Sequence, residues 1–183
     1  MKNWMLVLAL LSVAMSGGAR KHKEEKPITI EYDRFTDTTM VHTAPLQLPP
    51  ISKRNGWFPF ALTAVYACPG DTARCNPEIV SLIFDADGWK YTGGQPWRWI
   101  DFHEVVILAD GQRCVPRKVE WEGDSQSMTE FVTASYASAQ FLKIVDAARI
   151  EGRIGTEEFR IDDENRAKLK AFANVLRNGL NEP

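Results

Sequence analysis

Apolar and polar residues alternate with a period of two along most of the chain between residues 28 and 135, which is the pattern of β-strands. Two of these runs are apolar on both faces, as in central strands that are covered on both sides. The pattern predicts strands at 28–32, 38–43, 58–67, 79–84, 104–109, 112–115, 119–121 and 129–135. Pro116 has no amide hydrogen, so we expect the arm that begins at 112 either to stop there or to form a sheet edge, with 119–121 resuming it.

Two turn signals predict how neighbouring strands pair. Asp110-Gly111 favours a type I′ hairpin, which sets Cys114 opposite Ile107 as a small buried side chain. Cys68 and Cys75 flank the turn formers Pro69-Gly70-Asp71, which predicts a disulfide between two strands; free thiols or a metal site are the alternatives. If the two cysteines sit opposite each other, Ala64 faces Ile79 and Phe60 faces Ile83 across the pair of strands.

After residue 135 the apolar period changes to about 3.6, which predicts helices. Ser138 is placed to cap the first helix, whose inner face carries Phe141, Ile144, Val145 and Ala148. Short strands follow at 150–154 and 158–161. A last helix begins at Asp162 or Asp163, runs to about Asn178, and carries the apolar stripe Leu169, Phe172, Ala173 and Leu176. The fold class is therefore α+β, a mostly antiparallel β-sandwich or strongly curled sheet with two amphipathic helices in the C-terminal third.

The N-terminus has the pattern of a secretory signal peptide at residues 1–19: Lys2, an apolar run over 5–15, and small residues ending at Ala19. The run is shorter than the roughly 20 apolar residues of a membrane span, so we expect no stable membrane insertion after its removal. A charged, flexible leader at 20–27 and a single β-rich domain at 28–183 follow. The predicted location is exported, either periplasmic or extracellular, where cysteines can oxidise.

Composition limits the partners and cofactors. The 22 basic and 24 acidic side chains leave a formal charge of -2, which gives no reason to expect nucleic acid as a partner. Asp85, Asp87 and Gly88 resemble the start of a calcium loop, but Gly94 stands where the bidentate acid is needed, so we predict a turn that ends a strand. The sequence indicates no cofactor and no metal site.

Aromatic residues are concentrated around a Gly-Gly-Gln-Pro turn, and flat rings there can stack on a ligand. The alternative is cross-strand packing in a plain hairpin, in which Trp89 and Tyr91 of one arm meet Trp97 and Trp99 of the other. The candidate ligand-binding residues are Trp89, Tyr91, Trp97, Trp99 and Phe102.

Asp101 and His103 are the candidate catalytic pair. In an extended segment they point to the same side, close enough for a carboxylate to orient an imidazole. No serine has the Gly-x-Ser-x-Gly elbow and Cys114 is predicted to be buried, so a nucleophile is lacking. A solvated loop histidine is the alternative.

Several stretches together resemble a group of exported bacterial proteins of β-rich fold and unknown activity. They are Phe35 to Val41, Leu108 to Arg113, Phe141 to Ile144, Arg149 to Gly155, and Phe159. The resemblance implies export and a β-rich fold, and it brings no activity and no catalytic residues.

The sequence thus predicts an exported, non-catalytic domain that binds another macromolecule or a small ligand through the aromatic region. Two alternatives stay open. One is a hydrolase centred on Asp101 and His103, and the other is a small-ligand carrier with its site inside a curled sheet.

Overall fold

The computed structural model of the protein describes residues 26–48, 60–87, 97–124 and 129–180. Within these ranges no helix is long and apolar enough to cross a membrane. The elements, in chain order, are β1 (Ile28–Asp33), β2 (Thr38–Thr43), β3 (Leu46–Leu48), β4 (Phe60–Pro69), β5 (Ile79–Asp87), β6 (Val105–Ala109), β7 (Gln112–Cys114), β8 (Lys118–Asp124), β9 (Thr129–Ala137), α1 (Ser138–Asp146), β10 (Ile150–Ile154), β11 (Glu157–Ile161) and α2 (Asp163–Leu180).

The strands of the described residues form two antiparallel sheets, and the predicted α+β fold is confirmed. The larger sheet has the order β1-β2-β4-β5-β9-β8, with β3 also paired to β4, and the smaller sheet has the order β11-β10-β6-β7. β7 ends at Cys114, and β8 pairs with β9 instead of resuming the β6–β7 hairpin. Pro116 therefore lies where the chain crosses from the smaller sheet to the larger one.

One face of the larger sheet is covered by the smaller sheet at one end and by the two helices at the other. Between the sheets, Phe60 packs against Phe84 and Phe159, with ring centroids 6.3 and 5.6 Å away. Beneath the helices, Phe172 packs against Tyr66 at 5.3 Å and against Phe141 at 5.7 Å. Aromatic rings thus pack against one another in both parts of the core.

The Asp110-Gly111 hairpin is confirmed. Both residues have positive φ, 50° and 81°, as a type I′ turn requires, and Ile107 pairs with Cys114. Cys114 is a free, buried cysteine, as predicted. The Asp110 carboxylate has a second role, because it accepts hydrogen bonds from the amides of residues 148 and 149 at 3.1 and 2.8 Å and so fixes the entry to β10.

The disulfide between Cys68 and Cys75 is confirmed, but the strand register predicted from it is wrong. Ala64 pairs with Leu82, not with Ile79, so the even-numbered residues of β5 face the core. The reason is that β4 ends at Pro69 and β5 begins only at Ile79. The disulfide therefore links a loop to the end of β4, and it does not join two paired strands.

Both predicted helices are present, with two corrections at α1. Ser138 is its first helical residue and not its cap; the Ser138 hydroxyl donates to the Pro77 carbonyl and ties the helix to the loop before β5. Ala148 is exposed, because α1 ends at Asp146. The α2 stripe of Leu169, Phe172, Ala173 and Leu176 is buried as predicted. At its start, Asp162 accepts a hydrogen bond from the Asn165 amide at 2.8 Å.

Candidate functional site

Residues 97–104, here called the closing segment, run across the end of the sandwich where β4 begins. In the hairpin alternative, Trp97 and Trp99 would lie on the second strand, but residues 98–101 are bends and no strand is formed over 97–104. Trp89 and Tyr91, the aromatic residues of the other arm, lie outside the described residues. The closing segment is held by its contacts with both sheets and not by strand pairing.

Glu130 fixes the closing segment to the larger sheet. It is a fully buried carboxylate on the core side of β9. One of its oxygens accepts the backbone N–H of Arg98 at 2.7 Å, and the other accepts the N–H of Trp99 at 2.9 Å. The indole N–H of Trp121, on β8, also donates to the second oxygen at 3.1 Å. Three N–H donors thus replace the water that the carboxylate loses on burial.

Arg98 links the closing segment to the smaller sheet. Its Nε lies 2.7 Å from an oxygen of Glu157, at the start of β11, and its side chain is only 9% exposed. Burial raises the pKa of Glu157, the nearby charge of Glu130 raises it further, and the Arg98 guanidinium acts in the opposite direction. Arg98 therefore stands between two carboxylates, one from each sheet, at a site largely closed to water.

Trp99 and Trp97 have different environments. Trp99 is 1% exposed, and its ring meets that of Phe60 edge to face with centroids 5.6 Å apart, so it belongs to the core. Trp97 is half-buried and packs against Trp121 at 5.9 Å. In this arrangement Trp99 offers no surface to a ligand, and it serves as the apolar anchor of the closing segment.

The outward side of the closing segment exposes two large apolar side chains. Phe102 is 71% exposed and Ile100 is 42% exposed. The β10–β11 turn supports their backbone: the N–H of Gly155 donates to the Glu104 carbonyl at 3.0 Å. A Cβ on Gly155 would come within 2.3 Å of the Phe102 carbonyl oxygen, so only glycine allows this approach.

The structure does not join Asp101 and His103 by a hydrogen bond or an ion pair. Asp101 is exposed, and the buried Nδ1 of His103 has no hydrogen-bond partner within the part of the chain that the structure describes. A carboxylate that orients an imidazole for base catalysis would bind a ring nitrogen. The carboxylate–imidazole contact on which the Asp101 and His103 hypothesis depends is therefore not formed among the described residues.

A groove of about 580 Å³ lies between the β6–β7 hairpin and α1, with Cys114 and Lys143 in its wall. Burial raises the pKa of the Cys114 thiol, which keeps it protonated and a weak nucleophile. Asp85 and Asp87 lie within β5, and the turn predicted after them, with Gly88 and Gly94, lies outside the described residues. No group of three or more histidine, cysteine or acidic side chains is placed to hold a metal ion among residues 26–48, 60–87, 97–124 and 129–180.

The residues that hold the site together were missed by sequence reasoning. Glu130 could have been found from the sequence pattern. It alternates with period two in step with the apolar residues Val132, Ala134 and Tyr136, which are buried, so the pattern puts a charged residue on the core face of a strand. No sequence pattern pointed to Arg98 and Glu157, because charged residues between tryptophans or beside a turn are ordinarily solvated.

We expect Glu130→Gln to lower the free energy of unfolding by about 2–4 kcal/mol, because the amide group of glutamine turns a donor toward backbone N–H groups that need an acceptor. The measurement is urea unfolding followed by circular dichroism. The matched control is Glu120→Gln on β8, where an exposed ion pair with Lys118 at 2.6 Å should contribute less than about 0.5 kcal/mol. Equal effects of the two substitutions would contradict the role given to Glu130.

Glu157 should make the free energy of unfolding depend on pH, and the direction of its pKa shift gives the sign of that dependence. Because its pKa is higher in the folded state than in the unfolded chain, the folded state binds the proton first. As the pH falls from about 7 to about 5, the unfolding free energy of the wild type should therefore rise relative to that of Glu157→Gln. A fall in the wild type relative to the variant over this range would show that the Arg98 charge outweighs burial.

Comparisons with protein-family models, with curated proteins and with solved structures find no match. The roles given to Glu130, Arg98 and Phe102 therefore rest on their contacts and exposure alone. These contacts anchor a segment that closes the sandwich and presents apolar side chains on its outer side.

Proposed function

We propose that the protein is an exported, non-catalytic domain that binds another protein through the closing segment. The observation that carries the proposal is the exposure of Ile100 and Phe102, at 42% and 71%, on a segment anchored to both sheets. Because the backbone that carries these side chains is already anchored, it loses little conformational freedom on binding, which favours a stable contact.

The chemistry of this surface favours a protein partner over a sugar. Phenylalanine and isoleucine side chains have no polar atoms with which to bind sugar hydroxyls. Charged residues follow close by: Glu104 pairs with Arg113 at 2.9 Å and lies 3.8 Å from Arg153, all three at least 48% exposed. An apolar centre with a charged rim is the usual arrangement of a protein–protein interface.

The disulfide supports the exported location, because disulfides persist in oxidising compartments and are rare in the cytosol. The predicted signal peptide at 1–19 leads to the same location, and the resemblance to exported bacterial proteins remains a prediction that agrees with it. Periplasmic or extracellular residence is part of the proposal.

The test is a photo-crosslinking amino acid placed at position 102 in cells that export the chain. We expect a discrete protein adduct from position 102 and none from the control position Val115, which is 58% exposed and directly follows β7. With the partner identified, Phe102→Ala should weaken binding at least about tenfold, as for a central interface residue, without changing stability. N-terminal sequencing of the same material should begin at Arg20.

Three results would overturn the proposal. They are the absence of an adduct at position 102, the same adducts from position 115, and a Phe102→Ala variant that binds the partner as tightly as the wild type. If the purified protein begins at Met1, the proposed exported location is wrong, whereas the proposed binding surface is unaffected.

A further inference from the structure

The outer edge of β1 is an open strand edge. β1 pairs with β2 on one side, and no strand of the described residues pairs with it on the other. Ile30 and Tyr32, on this strand, are 54% and 42% exposed. The Tyr32 hydroxyl donates to the Asp37 carboxylate at 3.0 Å, which holds the ring beside the edge.

The register with β2 shows which backbone groups face outward. The amide of Ala44 donates to the Pro27 carbonyl at 3.1 Å, so Pro27 and Ala44 form a hydrogen-bonded pair in the same register as β1 and β2. In an antiparallel pair the hydrogen-bonded positions alternate. Residues 28, 30 and 32 therefore direct their N–H and C=O groups away from β2. At Ile30 and Tyr32, backbone groups that no described strand pairs with thus coincide with exposed side chains.

The other described edges are protected in the ways that proteins commonly use. β8 carries the charged residues Lys118, Glu120 and Glu122. β3, which pairs only with β4, and β7 are each only three residues long. On β11, Arg160 is paired with Glu151 of β10 at 2.8 Å. β1 also carries Glu31 and Asp33, but the residues that direct their backbone groups outward, 28, 30 and 32, are apolar or aromatic.

We propose that β1 pairs antiparallel with β1 of a second copy of the chain, about a two-fold axis at Ile30. This register brings all three outward-facing residues into hydrogen-bonded pairs, with Ile30 opposite its own copy and Ile28 opposite Tyr32. Such a β-branched and aromatic pair is favourable across strands. Glu31 then lies opposite Thr29, whereas an axis at Glu31 would set two carboxylates against each other.

The pairing joins the two larger sheets into one continuous sheet, which removes the open edge from both copies. It does not involve the closing segment. The β1–β2 turn lies beside Pro69, at the end of β4, whereas Trp99 of the closing segment packs on Phe60, at its start. The two surfaces can therefore be tested separately.

The first experiment is sedimentation equilibrium of the purified protein over a wide range of concentration. We expect a two-copy mass for the wild type, a one-copy mass for Ile30→Lys, and a two-copy mass for the control Val115→Lys, which replaces an equally exposed apolar residue elsewhere. A wild type that stays at one copy would overturn the proposal. So would an Ile30→Lys variant that stays paired, or loss of pairing in Val115→Lys.

The second experiment tests the register and does not depend on the folding of the lysine variant. In a Cys114→Ser background, Ile30→Cys should form an intermolecular disulfide on mild oxidation. Cα atoms of a hydrogen-bonded antiparallel pair lie about 5.5 Å apart, which a disulfide can span. Glu31→Cys should form none, because Thr29 lies opposite it. Efficient crosslinking of Glu31→Cys, or none from Ile30→Cys, would overturn the proposed axis.

Discussion

A buried carboxylate must find hydrogen-bond donors, and this constraint on Glu130 organises the end of the sandwich. Water cannot reach it, and an unpaired charge in that position would cost several kcal/mol. The backbone N–H groups of Arg98 and Trp99 and the indole of Trp121 supply the donors. These contacts fix the position of the closing segment. An apolar contact alone would fix it less precisely, because hydrogen bonds are directional and hydrophobic burial is not.

The anchored backbone divides the closing segment into an inner and an outer side. Trp99 enters the core against Phe60, and Arg98 reaches Glu157 on the smaller sheet. With these two side chains directed inward, Ile100 and Phe102 remain on the surface. The same contacts that close the hydrophobic core therefore create the exposed apolar surface to which binding is assigned.

Local chemistry made much of the fold predictable from the sequence. The Asp110-Gly111 turn determined a register, and the period of 3.6 identified both helices, because each signal lies within a short stretch of chain. The register between β4 and β5 was predicted wrongly, although their pairing was predicted correctly, because the loop that holds Cys75 is too long to determine a register. The closing segment was not predictable either. The alternation of Trp97 and Trp99 is typical of a strand. The segment forms no strand because its backbone bonds to Glu130, which is distant in sequence.

Hydrogen exchange of individual backbone amides tests the role of Glu130 most directly. We predict that the amides of Arg98 and Trp99 exchange slowly in the wild type, although they lie outside any strand. Glu130→Gln should speed their exchange far more than it speeds the exchange of the Leu82 amide in β5. Rapid exchange of both amides in a wild-type protein whose β5 amides are protected would contradict this prediction.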